Sequence, residues 1–562
     1  MAKRTFRGGV HPIGHKELSR DAAFTTYLPT GEMVYLLGQH IGSPSRPIVK
    51  KGDRVLTGQR IAEASAYVSS HIASSCSGTV KAVEKRRSIA GTLADCIVVD
   101  NDGLYETVPG IGTKTDWHTL SHENILERIR DAGIIGMGGA GFPTHVKLTP
   151  KNAEDIRYVI ANGAECEPYI TCDDRLMREA PEEILEGLEI VLSLFPQAEG
   201  VVVIEDNKPE AAAAMQKASS GRQRIRILKV PVKYPQGGER SCISVVTGVH
   251  YESRQLPADV GCIVDNVGTL QAVYRAVCLS MPLIERGVTI TGDAVRTPCN
   301  LMTRIGVSCE ELLAAAGGLK EGAQAVKVLA GGPMMGVSFG SLKVPLQKNN
   351  NALTFLLSDE AAEAKAGQTG CIRCGRCVRV CPQGLSPVLM SDAYRKKDFE
   401  RYENTLYGLE CINCGSCTFI CPARRPLMEE FKDARNEILM QRAVEQAKEA
   451  AEQAAREQEE KEKRGAEINK AVAAALRSRD MQPSAGKASE AERRLAAEEE
   501  AGNQNDLPIE RSVKTAIEAA TGDKASNASV KLEQAVTSVL KQEKAQASVT
   551  DNAQQDGKEG ES

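Results

Sequence analysis

Cys371-Ile372-Arg373-Cys374-Gly375-Arg376-Cys377-Val378-Arg379-Val380-Cys381-Pro382 is written a second time, in altered form, as Cys411-Ile412-Asn413-Cys414-Gly415-Ser416-Cys417-Thr418-Phe419-Ile420-Cys421-Pro422. Each run has the spacing C-x2-C-x2-C-x3-C-P, which wraps thiolates around cubane iron–sulfur clusters, the fourth cysteine of each run serving the other cluster. The expected ligand sets are therefore Cys371, Cys374, Cys377 and Cys421 for one cluster, and Cys411, Cys414, Cys417 and Cys381 for the second. Structural zinc also uses C-x2-C pairs, but it spaces two pairs apart and does not add a third cysteine at x2 and a fourth at x3. Between the runs, roughly Pro387 to Tyr402 reads as helix. Residues 365–430 are thus expected to form a helical two-cluster module that moves single electrons.

Working outward, 562 residues exceed one core, because single cores rarely grow beyond about 250–300 residues. A formal charge of −4 supplies no global basic field of the kind nucleic-acid binding needs, so no polynucleotide partner is expected. With 9 Phe and 1 Trp, packing must rest on aliphatic side chains. The start of the chain, Met1 to Gly9, has no apolar signal core, and no window approaches the ~18 apolar residues that span a bilayer. A cytoplasmic chain, linked to a membrane only peripherally, is expected. In such a reducing compartment 17 cysteines are no disulfide framework; those outside the two runs suit small buried hydrophobes.

The rest of the chain divides by pattern into a multidomain α/β and α+β protein. Residues 1–105 read as short strands around glycine turns, with Val49 to Val55 and Ser77 to Val83 alternating apolar and polar. The pair resembles the two halves of a lipoyl-type barrel-sandwich domain. Its carrier hairpin position, Ala64 to Ser70, holds no Lys, which makes it a β scaffold without a swinging arm. Residues 115–283 alternate helix (Glu123 to Ile129, Glu182 to Leu194) and strand (Tyr158 to Ala161, Val201 to Ile204, Ile225 to Val230), an α/β layered pattern. Residues 284–345 read as a small mixed domain with strands Gly287 to Gly292 and Ala325 to Leu329 and a helix Cys309 to Ala316 closed by Gly317. From 431 to 562 Ala, Glu, Lys and Gln dominate. Such a tail cannot offset chain entropy by burial, so a helical or disordered segment is expected, disorder being the more natural state of the free chain, with Val513 to Ala519 and Val530 to Leu540 as stripes that would become helical on a partner.

Gly136-Met137-Gly138-Gly139-Ala140-Gly141-Phe142-Pro143-Thr144 formally contains G-x-G-x-x-G, but the segment before it is helical and Pro143 follows its last glycine. It is a poor Rossmann fingerprint and a sensible loop for bringing backbone N–H groups to a phosphate or a flat ring. Asn162-Gly163 alone is a turn signal, and Glu165 and Glu167 alone suit solvated loop acids. Their value comes from order: the glycine loop, then Asn162-Gly163-Ala164-Glu165-Cys166-Glu167-Pro168, then Gly237-Gly238-Glu239, then Asn266-Val267. Taken together they resemble the flavin-binding signatures of the NADH-oxidising flavoprotein subunit of respiratory complex I. Thr303 to Gly306 resembles the β-grasp (SLBB-like) domain that follows it.

With Phe6-Arg7-Gly8-Gly9-Val10-His11-Pro12 at the front and the two cysteine runs behind, the order is similar to the RnfC family of Rnf-type ion-translocating oxidoreductase complexes, over about 1 to 430. That resemblance implies FMN and NAD(H) in 115–283 and two 4Fe-4S clusters in a ferredoxin-type module. It implies a peripheral electron-input subunit on the cytoplasmic face of the inner membrane, coupling NAD(H) and ferredoxin-type carriers to ion translocation. Its partners would be integral and peripheral subunits of that complex, including a ferredoxin-like iron–sulfur subunit. Carried over by motif, Gly138, Gly139 and Gly141 would approach the flavin, Phe142 the nicotinamide, and Lys147 the phosphate. Asn162, Glu165 and Glu167 would contact flavin or ribose, with Tyr234, Gly237, Gly238, Glu239 and Asn266 closing the pocket. Met137, Ala164 and Gly238 depart from the complex I pattern, at positions that concern the nucleotide more than the flavin.

Hydride exchange at a flavin needs no general acid, base or nucleophile, so no catalytic side chain is expected. Two other functions use the same parts: a soluble NADH diaphorase subunit, and a non-catalytic relay scaffold. Arg373, Arg376, Arg379, Lys396, Lys397, Arg424 and Arg425 make a basic neighbourhood, equally suited to docking an acidic ferredoxin and to offsetting the clusters' own charge.

Overall fold

Val201-Val202-Val203-Ile204 is an unbroken apolar run, the pattern of a strand covered on both faces. In the computed structural model, which describes residues 5–252 and 255–478, it lies inside a four-stranded, all-parallel sheet. The strand order is Ile225–Val230, Glu199–Glu205, Tyr158–Gly163, Cys262–Asn266. Around it stand α1 (His122–Asp131), α2 (Thr144–Lys147), α3 (Cys172–Glu179), α4 (Pro181–Ser193), α5 (Pro209–Ala218), α6 (Glu239–Thr247) and α7 (Val267–Leu279). The period of two along the central strand sorts its side chains. Val202 and Ile204 join one core with residues of α1, α4, α5 and α7; Val201 and Val203 join another with Val245 and Val246 of α6 and with Phe6.

This order places the functional cleft. The chain leaves Tyr158–Gly163 for the neighbour on one side and later returns on the other side as Cys262–Asn266. The crevice beyond the carboxyl ends of those two strands is therefore the switch point, where open parallel sheets bind ligands. Asn162 and Asn266 stand there, paired in register.

The N-terminal barrel-sandwich is built from two small sheets. One contains Met33–Leu36, Leu93–Asn101, Gly78–Arg87 and Arg54–Val55; the other contains Arg46–Pro47, Arg60–Glu63 and Ile72–Ala73. Ala64 to Ser70 is an irregular connection. The β-grasp sheet reaches beyond 284–345. Its order is Phe24–Tyr27, Cys299–Arg304, Glu285–Thr291, Ala352–Leu356, Lys327–Ala330, Val337–Ser338, so it borrows strands from both sides, and α8 (Cys309–Ala315) packs with it. Barrel and β-grasp residues, such as Tyr35 and Ile97 with Val288 and Leu353, fill a single core.

After α9 (Glu360–Ala366), the cysteine runs wind around α10 (Arg376–Val380), α11 (Pro387–Arg395), a π turn at Arg401–Thr405 and α12 (Ser416–Phe419). The link between the runs is helical, as its sequence predicts.

Of the two states open to the tail, its first part takes the helical one: α13 (Leu427–Ser478) is a continuous helix. Composition poor in apolar surface is here also composition rich in helix formers, and i,i+4 pairs such as Glu452–Arg456 and Glu459–Lys463 add to it. The stripes at 513–519 and 530–540 lie outside the described residues. The described residues up to Asn436 form one compact unit, those from Glu437 to Ser478 belong to a second, and every candidate site is in the first. Among the described residues no helix is long and apolar enough to cross a membrane.

Candidate electron-transfer site

The glycine loop is a closed hairpin after α1, with the Gly136 amide donating to the Phe142 carbonyl (2.8 Å) and the Gly141 amide to that of Gly136 (3.2 Å). Thr269, in the first turn of α7, accepts the Met137 amide at 2.9 Å, which fastens the loop to the switch-point helix. Gly138, Gly139 and Ala140 are exposed. A Cβ at Gly138 would lie 3.1 Å from the Asn266 side chain, and Gly139 has φ 120° with open space where a side chain would stand. Gly141 also has positive φ, 69°, but is buried beside Gln39 and His40, its carbonyl accepting the Ile41 amide at 3.0 Å, so the bare backbone is that of Gly138 and Gly139. The loop therefore presents bare backbone to the crevice.

The remaining predicted residues converge on it from three more segments. Asn266 caps α7 through the Gly268 amide (2.9 Å) and donates to Asp173 of α3 (2.7 Å). Asn162 donates to the Gly237 carbonyl at 2.9 Å, and the Gly237 amide donates to Cys166 Sγ at 3.2 Å. Tyr234 is buried with its hydroxyl unpaired, as are both polar atoms of the Gln236 amide beside Gly237. Lys147 lies at the floor, donating to the Val264 carbonyl (2.7 Å) and Asp265 Oδ1 (3.1 Å). Burial works against its charge, but Asp265 and Glu239 outweigh that and hold its pKa above the usual lysine value. Asp265 Oδ2 is left without a partner. Exposed glycine backbone and orphaned buried polar atoms around one crevice fit a flat ligand with polar edges.

Glu165 and Glu167 are engaged with protein. Glu165 Oε1 accepts the Asp173 amide at 2.7 Å at the start of α3, and Glu167 Oε1 accepts the Met334 and Met335 amides at 2.6 and 3.1 Å. Burial pushes each pKa up to about 7, against the pull of Lys16 and Lys208 on Glu165 and of the two amides on Glu167. Two lysines clamp the loop between them. Lys16 Nζ donates to the carbonyls of Glu165 (2.8 Å), Glu167 (3.2 Å) and Ile170 (2.5 Å), while buried Lys208 donates to that of Ala164 (2.7 Å). Such clamping holds Glu165 (φ 47°) and Tyr169 (φ 70°) in left-handed conformations that ordinarily cost about 1–3 kcal/mol each. Sequence reading missed both lysines, because an isolated Lys in a loop carries no pattern.

In the cluster module one cavity is lined by Cys381, Cys411, Cys414 and Cys417, the crossed set that the spacing predicts, backed by Met390 and Phe431. Burial pushes Cys411 up to about 12, with Cys414 and Cys381 adding to the rise, and holds Cys417 well above the usual thiol value. Cys377 is raised by burial and by Cys421 and Cys371, members of the other predicted set. Four soft sulfur donors around one small space fit an iron–sulfur cubane, whose cationic irons would offset the penalty for thiolates there. The sets differ in setting: Cys381, Cys414 and Cys417 are buried, whereas Cys371 and Cys374 are exposed.

The buried set borders the crevice. Val10, Tyr234, Met334 and Cys414 form an apolar cluster, with Cys166, Val380, Ile412 and Ile420 packed against it. A Cβ at Gly238 would come within 3.9 Å of Ile412, and Arg240 of α6 bridges to Glu410 and Gln383 at 2.9 Å each. The N-terminal strap crosses this junction. The Gly9 amide donates to the Val380 carbonyl (2.8 Å), Val10 and Tyr234 exchange backbone hydrogen bonds, and a Cβ at Gly8 would lie 2.7 Å from the Val380 and Cys381 oxygens.

Fold and site together define a flavin and iron–sulfur electron-transfer protein. Family models agree segment by segment: an RnfC barrel sandwich hybrid domain over 4–104, a Nuo51 FMN-binding domain over 129–275, an SLBB domain over 288–338 and a 4Fe-4S dicluster domain over 364–422. The chain is 38% identical over 444 residues to the RnfC-type component of the Na(+)-translocating ferredoxin:NAD(+) oxidoreductase complex of Acetobacterium woodii, covering 78% of this chain and 98% of that one. It is 41% identical over 389 residues to the proton-translocating counterpart of Clostridium ljungdahlii (69% and 84% covered). To the corresponding component of the ion-translocating oxidoreductase complex of Pseudomonas aeruginosa it is 43% identical over 388 residues (69% and 50%). The chain belongs to the RnfC family of ion-translocating oxidoreductase complexes.

Proposed function

We propose that this chain is the peripheral electron-input subunit of a membrane-bound complex that couples electron exchange between NAD(H) and ferredoxin-type carriers to ion translocation. Its partners in this reading are the integral and peripheral subunits of the same complex, among them a ferredoxin-like iron–sulfur subunit, at the cytoplasmic face of the inner membrane. Bound FMN supplies the conversion between hydride exchange at nicotinamide and single-electron exchange at a cluster.

The chain's own residues position these groups. Gly138 and Gly139 offer backbone to the ring, Gly141 turns the loop beneath them, and Phe142 lies at the loop's base on the nicotinamide side. Asn162, Asn266, Tyr234, Gly237, Gly238 and Glu239 form the walls, and Lys147 is the cation for the phosphate. Glu165 and Glu167 act through the loop they lock, by orienting it. Cys381, Cys411, Cys414 and Cys417 would hold the cluster on the flavin side, and Cys371, Cys374, Cys377 and Cys421 the outer one.

The observation that carries this reading is the shared apolar junction, in which Cys166 and Tyr234 of the pocket loops pack with Cys414 and Ile412 of the buried quartet. Anaerobic titration of the full chain with NADH tests it: flavin absorbance should bleach and reduced-cluster resonances should grow together. A preparation holding roughly eight irons but no FMN, and inert to NADH, sinks the reading and leaves a scaffold.

A further inference from the structure

The chain carries its own control for what the arginines of the first cysteine run do. At equivalent positions of the two runs stand Arg373 and Asn413, Arg376 and Ser416, Arg379 and Phe419. If arginines were there to offset cubane charge, the buried quartet would need them more, because desolvation makes its charge costlier. Its run has none: the cation acting on Cys411 is the single Arg435 of α13, which also donates to the carbonyls of Leu409 and Cys411 (2.6 Å each).

Backbone geometry points the same way. Arg373 and Asn413 both sit in the left-handed region, at φ 54° and 52°, with their amides donating to Cys371 Sγ and Cys411 Sγ at 3.4 Å each. Asn tolerates that conformation and Arg does not favour it. The conformation and the amide bond to sulfur are thus served at least as well by Asn, and the guanidinium has another use.

The structure also sorts the wider basic neighbourhood. Arg425 pairs with Glu430, Lys396 with Asp392, Lys397 lies over the Tyr394 ring, and Arg424 donates to the Glu363 carbonyl. Arg373, Arg376 and Arg379 are exposed and make no ion pair among the described residues. With Ile372, 65% exposed, they rim the quartet whose Cys371 and Cys374 face solvent.

We infer that this rim is the docking face for an acidic electron-carrier protein, seated on Ile372 and steered by Arg373, Arg376 and Arg379. The inference rests on the relay reading above, because a carrier gains from docking there only if the outer quartet holds a redox centre. Three unpaired cations around an apolar spot match an acidic rim around a carrier's own exposed cluster, and complementary fields of this kind raise association rates by about 10- to 1000-fold at low salt.

The test uses the full chain with both cofactors and a small, acidic two-cluster ferredoxin as probe, read by the association rate at low and high salt. The triple variant Arg373→Asn, Arg376→Ser, Arg379→Gln takes residues of the second run where solubility allows. Its association should be at least about tenfold slower at low salt, with the salt dependence flattened, while iron content and cluster resonances stay as in the unchanged chain. An unaltered rate overturns the proposal, and so does loss of iron, which would return the arginines to cluster compensation. Binding of anionic phospholipid vesicles through the same arginines, with no ferredoxin binding, overturns it in favour of a membrane contact. Flavin bleaching by NADH in the same samples separates this outcome from failure of the relay reading itself.

Discussion

The two cysteine runs share a spacing, a pair of cluster folds and even their backbone angles, yet they occupy opposite environments. Gly375 and Gly415 have φ 71° and 74°; a Cβ on the first meets open space, and on the second it meets the Met334 carbonyl at 3.2 Å and Met428 Sδ at 3.3 Å. Cys374 is exposed and its twin Cys414 is buried. Local sequence thus sets which sulfur atoms can share a cluster, while the neighbours packed around each run set whether that cluster faces the flavin cleft or the outside.

The largest effect that separates the runs should come from ligand removal. Cys417→Ser empties a quartet walled by the module's own core, and because metal binding is also folding free energy it should cost about 4 kcal/mol or more. Cys374→Ser should likewise lose about four irons while costing roughly half as much stability. Iron analysis beside denaturant unfolding followed by circular dichroism reads both. Equal costs would show that burial does not distinguish the runs.

A sharper version leaves the sulfurs alone. Gly375→Ala should cost only the left-handed penalty, about 1 kcal/mol. Gly415→Ala should cost about 2–3 kcal/mol, since the Met334 turn must also give way. Thermal melts of the two variants compare them directly, and a reversed order would mean that the β-grasp turn does not press on the buried run.

The smallest effect concerns Glu167, which holds that turn by accepting the Met334 and Met335 amides. Its folded pKa is raised from 4.5 to about 7, so the native state binds the extra proton and its contribution to stability falls as pH rises between those values. Gln keeps an acceptor oxygen and cannot ionise. The melting temperature of Glu167→Gln relative to the unchanged chain should therefore climb by a degree or so, in order of magnitude, from pH 5 to pH 8. A difference that is flat or falls with pH would remove Glu167 from the lock.

Much of this was readable in advance for identifiable reasons. The apolar run at Val201 to Ile204 and the helical period of Glu182 to Leu194 are local signals, and the fold keeps them. Spacing is short-range chemistry, and it named together Cys381, Cys411, Cys414 and Cys417, which the fold brings around one cavity. The tail could be read only as helical or disordered, because one composition serves both, and the folded chain is helical over 427–478. Lys16 and Lys208 gave no warning, and the contacts of Cys166 and of the strap at Gly8 and Gly9 could not be read from the motifs that hold them, since each acts on partners far away in the chain, as in the 2.8 Å bond from Lys16 to the Glu165 carbonyl.

By itself, then, the order of residues fixed the donor atoms: eight thiols at metal spacing, glycines able to bare their backbone, and strands able to pair in parallel. Only the folded chain decided that Asn162 meets Gly237, that one quartet lies against the switch-point crevice, and that three arginines are left facing outward. The reason is physical: donor type and turn geometry depend on bonds a few atoms long, whereas burial, field and neighbourhood depend on which distant segments the core draws together.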